Sequence, residues 1–119
     1  METKLFDSEL KVMEVLWRMG DTPARQIAAV LTEEVGWNVN TTYTLIKRCM
    51  KKNAIARSEP GFLCHALIRW EEVQAAETDE LIDRLYGGSA DKLFAAFLDR
   101  KRLSPQQLQR LRDLVEESE

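Results

Sequence analysis

Between residues 38 and 52 the chain carries hydrogen-bonding and cationic groups at a spacing that gathers them on one side of a helix. Wound at 3.6 residues per turn, Leu45, Ile46, Cys49 and Met50 share one face, while Asn40, Thr41, Thr44, Lys47, Arg48 and Lys51 point away from it. Small amides and hydroxyls lie toward the N-terminal end and cations further along. A helix that reads DNA divides base edges from phosphates in this way. On that reading Asn40, Thr41, Tyr43 and Thr44 approach bases and nearby phosphates, and Lys47, Arg48 and Lys51 neutralise the backbone. An amphipathic helix with a solvated basic side explains the same stretch equally well, so the neighbouring elements must decide.

Other chemistry finds less support. The single histidine, His65, stands beside Cys64 in an alternating segment, where adjacent side chains point to opposite faces and a Cys-His nucleophile pair is geometrically poor. Neither a CxxC nor an HxxxH spacing is present, so no catalytic residue, metal ligand or cofactor is expected. Cys49 and Cys64 read as small buried hydrophobes in a reducing compartment.

The elements before and after the stretch resolve its role. Asp7 and Ser8 are N-cap residues, followed by Leu10, Met13, Leu16 and Trp17 at helical spacing, with Glu9, Lys11, Glu14 and Arg18 as the wet face of a helix over 8–19. Thr22-Pro23 reads as a capped start for a second helix over 23–32, with Ile27, Ala28 and Leu31 inward. Residues 33–37 break the pattern: Gly36 suits a left-handed turn, Trp37 reads as a core anchor, and Asn38 caps the next helix. Two helices joined by a glycine-containing turn form a helix-turn-helix, whose second helix enters the major groove. After Asn53 the period becomes alternating, and Pro60-Gly61 turns between two antiparallel strands. A hairpin in that place is a wing, from which Arg57 is expected to reach a flanking phosphate.

The last third is helical again. One helix is expected over 71–86 and stopped by Gly87-Gly88, a second comes after Ser89, and a third starts at the capping box Ser104-Pro105-Gln106-Gln107. Their apolar positions are one-sided and exceed what a tail of this length can hide alone. At about 25 cal/mol per Å² of apolar surface buried, pairing two tails is the expected stabilisation. Leu81, Leu85, Leu93, Phe94, Phe97, Leu108 and Leu111 are the expected interface or tail-core positions. The fold class is therefore mainly α with a small β-hairpin: a winged helix-turn-helix head over 1–70 and a helical dimerisation tail over 71–119.

Charge supports that division. The 119 residues carry a net charge of -3. Residues 1–70 hold ten cations against eight acids, and the remainder holds seven against twelve. A basic reading head on an acidic support fits this asymmetry. With 45% hydrophobic and 31% charged residues, and no apolar run near the ~20 residues that span a bilayer, the composition is that of a soluble globular domain. The first residues, Met1 to Asp7, lack a signal-peptide pattern, so a cytoplasmic location without membrane insertion is expected.

The run Phe6-Asp7-Ser8-Glu9-Leu10 with Val12-Met13 and Leu16-Trp17, then Trp37, Thr41-Thr42-Tyr43-Thr44-Leu45-Ile46, Arg48 and Lys51-Lys52-Asn53-Ala54-Ile55, resembles the penicillinase-repressor family of the BlaI/MecI/CopY type. Leu85-Tyr86-Gly87-Gly88-Ser89, Phe97-Leu98 and Leu103-Ser104 extend the likeness through the tail. The resemblance implies a bacterial homodimeric winged-helix repressor on a palindromic operator, with Thr41, Tyr43, Thr44 and Arg48 facing double-stranded DNA. It also implies relief by proteolysis, with a membrane-bound sensor protease as partner, or by a metal. Three positions depart from the family pattern: Ala96-Phe97 stands where cleaved members carry Asn-Phe, the tail has no Cys-x-Cys, and Asn53 replaces a glycine. The inducer stays open. The competing class is a winged helix used for protein contact without DNA.

Overall fold

The computed structural model describes residues 4–118. Met1, Glu2 and Thr3, which bear part of the signal-peptide reading, lie outside the described residues, as does Glu119. The chain divides into a unit ending at Val73 and a unit beginning at Gln74.

In the first unit, α1 (Asp7–Met19), α2 (Ala24–Val35) and α3 (Val39–Lys51) pack around one core, joined by strands β1 (Thr22–Pro23), β2 (Ile55–Ser58) and β3 (Leu63–Ala66). Val12, Met13, Val15 and Leu16 of α1 meet Ile27 and Leu31 of α2 and Leu45, Ile46 and Cys49 of α3. Ala54, Ile55 and Cys64 close the core from the sheet side.

Several local expectations are corrected. Helix α1 starts at Asp7, and the residue before it, Phe6, donates its N–H to the Glu9 carboxylate at 2.7 Å, so neither Asp7 nor Ser8 is the cap. Glu9, expected on the wet face, is buried. Thr22-Pro23 does not start a helix: Thr22 Oγ1 donates to the Gly20 carbonyl at 2.7 Å, and both residues are extended as a short third strand. Thr22 pairs with Cys64 and Pro23 with Leu63, giving the sheet order β1-β3-β2. The reason is local and steric. Proline disfavours the helical region for the residue before it, and an edge strand tolerates the missing N–H. Helix α2 runs on through Glu33 and Glu34 to Val35, because glutamate is a good helix former and only the left-handed Gly36, at φ 75°, ends it.

The exit of α3 follows the expectation at Asn53, which adopts φ 60°, a conformation asparagine tolerates. The turn at Pro60-Gly61 joins β2 to β3, which pair antiparallel from Ile55 with Ala66 to Ser58 with Leu63.

In the second unit, α4 (Trp70–Leu85), whose first turn belongs to the head, ends before Gly87 and Gly88, both at positive φ. Helices α5 (Ala90–Asp99) and α6 (Pro105–Glu117) complete it. The expected capping box forms: Gln107 N–H donates to Ser104 Oγ at 3.1 Å, and Ser104 N–H to Gln107 Oε1 at 2.8 Å.

Candidate nucleic-acid interface

Helix α3 is built as the spacing predicts. Asn38 Oδ1 accepts the Asn40 N–H at 2.8 Å and caps its first turn. Thr42, Leu45, Ile46 and Cys49 are buried as one ridge, while Asn40, Thr41, Thr44, Lys47, Arg48 and Lys51 are exposed on the other side. Thr44 Oγ1 donates to the Asn40 carbonyl at 3.0 Å, which satisfies its hydrogen and turns the oxygen lone pairs outward. Arg48 and Lys51 occupy the last turn, where cations also complement the negative end of the helix dipole.

Tyr43 and Arg57 are less free than their sequence positions suggest, and the structure brings both to Phe62 in the wing turn. The Tyr43 ring meets the Phe62 ring edge-on, with centroids 5.8 Å apart. The Arg57 guanidinium lies over the same ring, 3.7 Å from its centroid, and pairs through Nε with the Glu59 carboxylate. Hydrogen bonds from Arg57 and then from the Phe62 N–H hold the Glu59 carboxyl below the usual carboxylate range. Trp37 is half-buried and packs against the core.

Lys52 sits beside the other cations in sequence and elsewhere in function. Its Nζ lies 2.6 Å from Glu9 Oε1, donates to the Lys4 carbonyl at 2.8 Å and stands over the Phe6 ring at 4.2 Å. The pair ties the end of α3 to the start of α1. Glu9 is legible in principle, because it falls on the helical stripe that continues through Val12, Met13 and Leu16.

His65 Nδ1 lies 3.0 Å from Asp21 Oδ2 and His65 Nε2 lies 2.7 Å from Ser58 Oγ. This chain of contacts joins the turn before β1 to both wing strands. The cysteines are poor nucleophiles here: burial pushes the Cys49 thiol up to about 12, with Glu9 adding to the effect, and burial pushes Cys64 up to about 11.

Of the positions expected at a tail interface, Leu93 is buried, Leu81, Phe97, Leu108 and Leu111 are half-buried, and Leu85 and Phe94 are exposed. Phe94 and Phe97 pack edge to face, 6.1 Å apart. Leu98, Leu114 and Val115 are exposed as well. Among the described residues no helix is long and apolar enough to cross a membrane.

The sequence profile described as Penicillinase repressor matches residues 5–117. Among curated proteins, the "Penicillinase repressor" of Bacillus licheniformis is 24% identical over 116 residues, covering 96% of this chain and 91% of that protein. The "Methicillin resistance regulatory protein MecI" of Staphylococcus aureus strain N315 is 24% identical over 120 residues, covering 97% and 98%. Among solved structures, the DNA binding domain of the repressor BlaI superposes with a TM-score of 0.56 at 24% identity, over 60% of this chain and 90% of that one. The Bacillus licheniformis BlaI monomeric form in complex with the blaP half-operator gives a TM-score of 0.54 at 24% identity and the same coverage. These two likenesses carry the winged-helix fold of the head.

Proposed function

The chain belongs to the penicillinase repressor family, and on that premise we propose that it is a homodimeric repressor that holds a palindromic operator with two copies of α3. The observation that carries this reading is the division of α3 into a buried ridge and an exposed face of Asn40, Thr41, Thr44, Lys47, Arg48 and Lys51. The side chains act by position. Thr41, Thr44 and Asn40 approach base edges in the major groove, while Lys47, Arg48 and Lys51 neutralise phosphates along its walls. Tyr43 braces the wing through its edge-on contact with Phe62. Arg57 reaches the flanking phosphate from the wing. The chemistry is recognition, without catalysis.

Dimerisation rests on the tail. Leu85, Phe94, Leu98, Leu114 and Val115 are large apolar side chains left in water by the single chain. Covering them with a second tail removes that exposure and sets two heads about 10 bp, or a multiple of it, apart on one face of the duplex. Release from cytoplasmic DNA then comes from any event that uncouples the heads, either ligand binding or cleavage of the tail by a membrane-bound sensor protease.

Sedimentation velocity of the full chain, alone and with a palindromic duplex, tests the assembly. A dimer alone and two chains per duplex are expected. A monomer at micromolar concentration that binds one chain per duplex overturns the dimeric reading. Duplex binding that is absent at low salt favours protein contact as the role of the winged helix.

A further inference from the structure

Phe62 has a left-handed backbone at φ 51°, an outlier for a bulky aromatic residue. Four contacts hold it there. Its ring is flanked by Tyr43 at 5.8 Å and by the Arg57 guanidinium at 3.7 Å. Its N–H donates to Glu59 Oε1 at 3.3 Å, and its carbonyl accepts the Ala24 N–H at 2.9 Å. A strained residue fixed from several sides is a rigid platform. This one is keyed to the recognition helix through Tyr43 and to α2 through Ala24. The Arg57 Cζ stands over its ring, 3.7 Å from the centroid, and a guanidinium held there still has N–H groups to offer a planar or tetrahedral anion.

Glu59 already supplies such an anion. One carboxylate oxygen takes Arg57 Nε and the other takes the Phe62 N–H. We propose that Arg57 and Glu59 form a gated phosphate contact at the wing: the Glu59 carboxylate holds Arg57 in the free protein, and a DNA phosphate displaces it in the complex. The inference rests on the reading of α3 and the wing as the DNA face. Both side chains are largely exposed, at 40% and 57%, so the pair is weak enough to open. The Phe62 platform keeps Arg57 in place while it exchanges partners. Like any glutamate, Glu59 is a carboxylate at neutral pH, and its contact with Arg57 places that charge where it competes with phosphate. Glu59 therefore acts as a brake on wing affinity, and Arg57 is the group it restrains.

The test uses the full chain and a random-sequence duplex, which requires no operator, titrated between about 50 and 200 mM salt. Arg57→Ala should flatten the plot of log K against log salt by about 0.9, the loss of one phosphate contact. Glu59→Gln should bind several-fold more tightly with an unchanged slope, and that gain should disappear in the double variant with Arg57→Ala. Thermal melts of the three variants, each altered at exposed side chains, check that the fold is retained. An unchanged slope in Arg57→Ala means the gate never opens, and a gain that survives without Arg57 means Glu59 repels DNA in general. Either result overturns the proposal, as does a Glu59→Gln variant that binds no more tightly. A wild-type chain without salt-sensitive duplex binding overturns the DNA reading and the gate together, whereas normal wild-type binding with an inert Glu59→Gln overturns the gate alone.

Discussion

Lys52 Nζ stands 2.6 Å from Glu9 Oε1, and the glutamate side chain is only 1% exposed against 19% for the lysine. A carboxylate so far from water is tolerated because the ammonium and the Phe6 N–H meet the same oxygen. The first residue past α3 is thereby fastened to the first turn of α1.

Lys52→Met removes the cation and strands the buried carboxylate, so it should cost about 3 kcal/mol of stability. Urea unfolding of the wild type and the variant measures this. An unchanged midpoint would show that the pair carries no weight in the fold.

Thr42 gives the opposite kind of effect. Its Oγ1 is buried at the α3 ridge without a hydrogen-bond partner. Thr42→Val keeps the shape and removes the unsatisfied hydroxyl, so it should stabilise the chain by about 1 kcal/mol. A lower urea midpoint in Thr42→Val would contradict that assignment.

The thiols bear on pH. Burial raises Cys49 to about 12 and Cys64 to about 11, above the ~8.5 of an unfolded thiol. Their contribution to stability is therefore complete below about pH 8.5 and is lost as pH rises toward 11 and 12. At pH 8 a thiol-specific reagent should label neither cysteine in the native chain and both after denaturation. Rapid labelling of the native protein would show that a thiol is accessible.

Where the controlling chemistry is local, the sequence is legible. Asn38 as a cap, Gly36 and Asn53 as left-handed residues and the Ser104 capping box all depend on neighbours within a few positions. Thr22-Pro23 misleads because a cap-plus-proline signal and a two-residue strand look alike until Cys64 and Leu63 arrive from across the chain. Glu9 misleads because its charge argues for water while its place on the stripe of Val12, Met13 and Leu16 argues for the core, and the lysine that pairs with it lies 43 residues away. At the candidate site, the faces of α3 come from periodicity. What periodicity cannot supply is the fixed Phe62 ring that engages both Tyr43 and Arg57, because it depends on a left-handed residue in a turn.

The direct test of α3 as the DNA-contacting helix is a salt titration of duplex binding by fluorescence anisotropy, comparing the wild type with Arg48→Ala and Lys51→Ala. The wild type should lose affinity linearly in log salt. Arg48→Ala should bind more weakly, and Lys51→Ala should lower the slope by about 0.9, one phosphate contact. If both variants keep the wild-type affinity and slope, α3 is not at the interface.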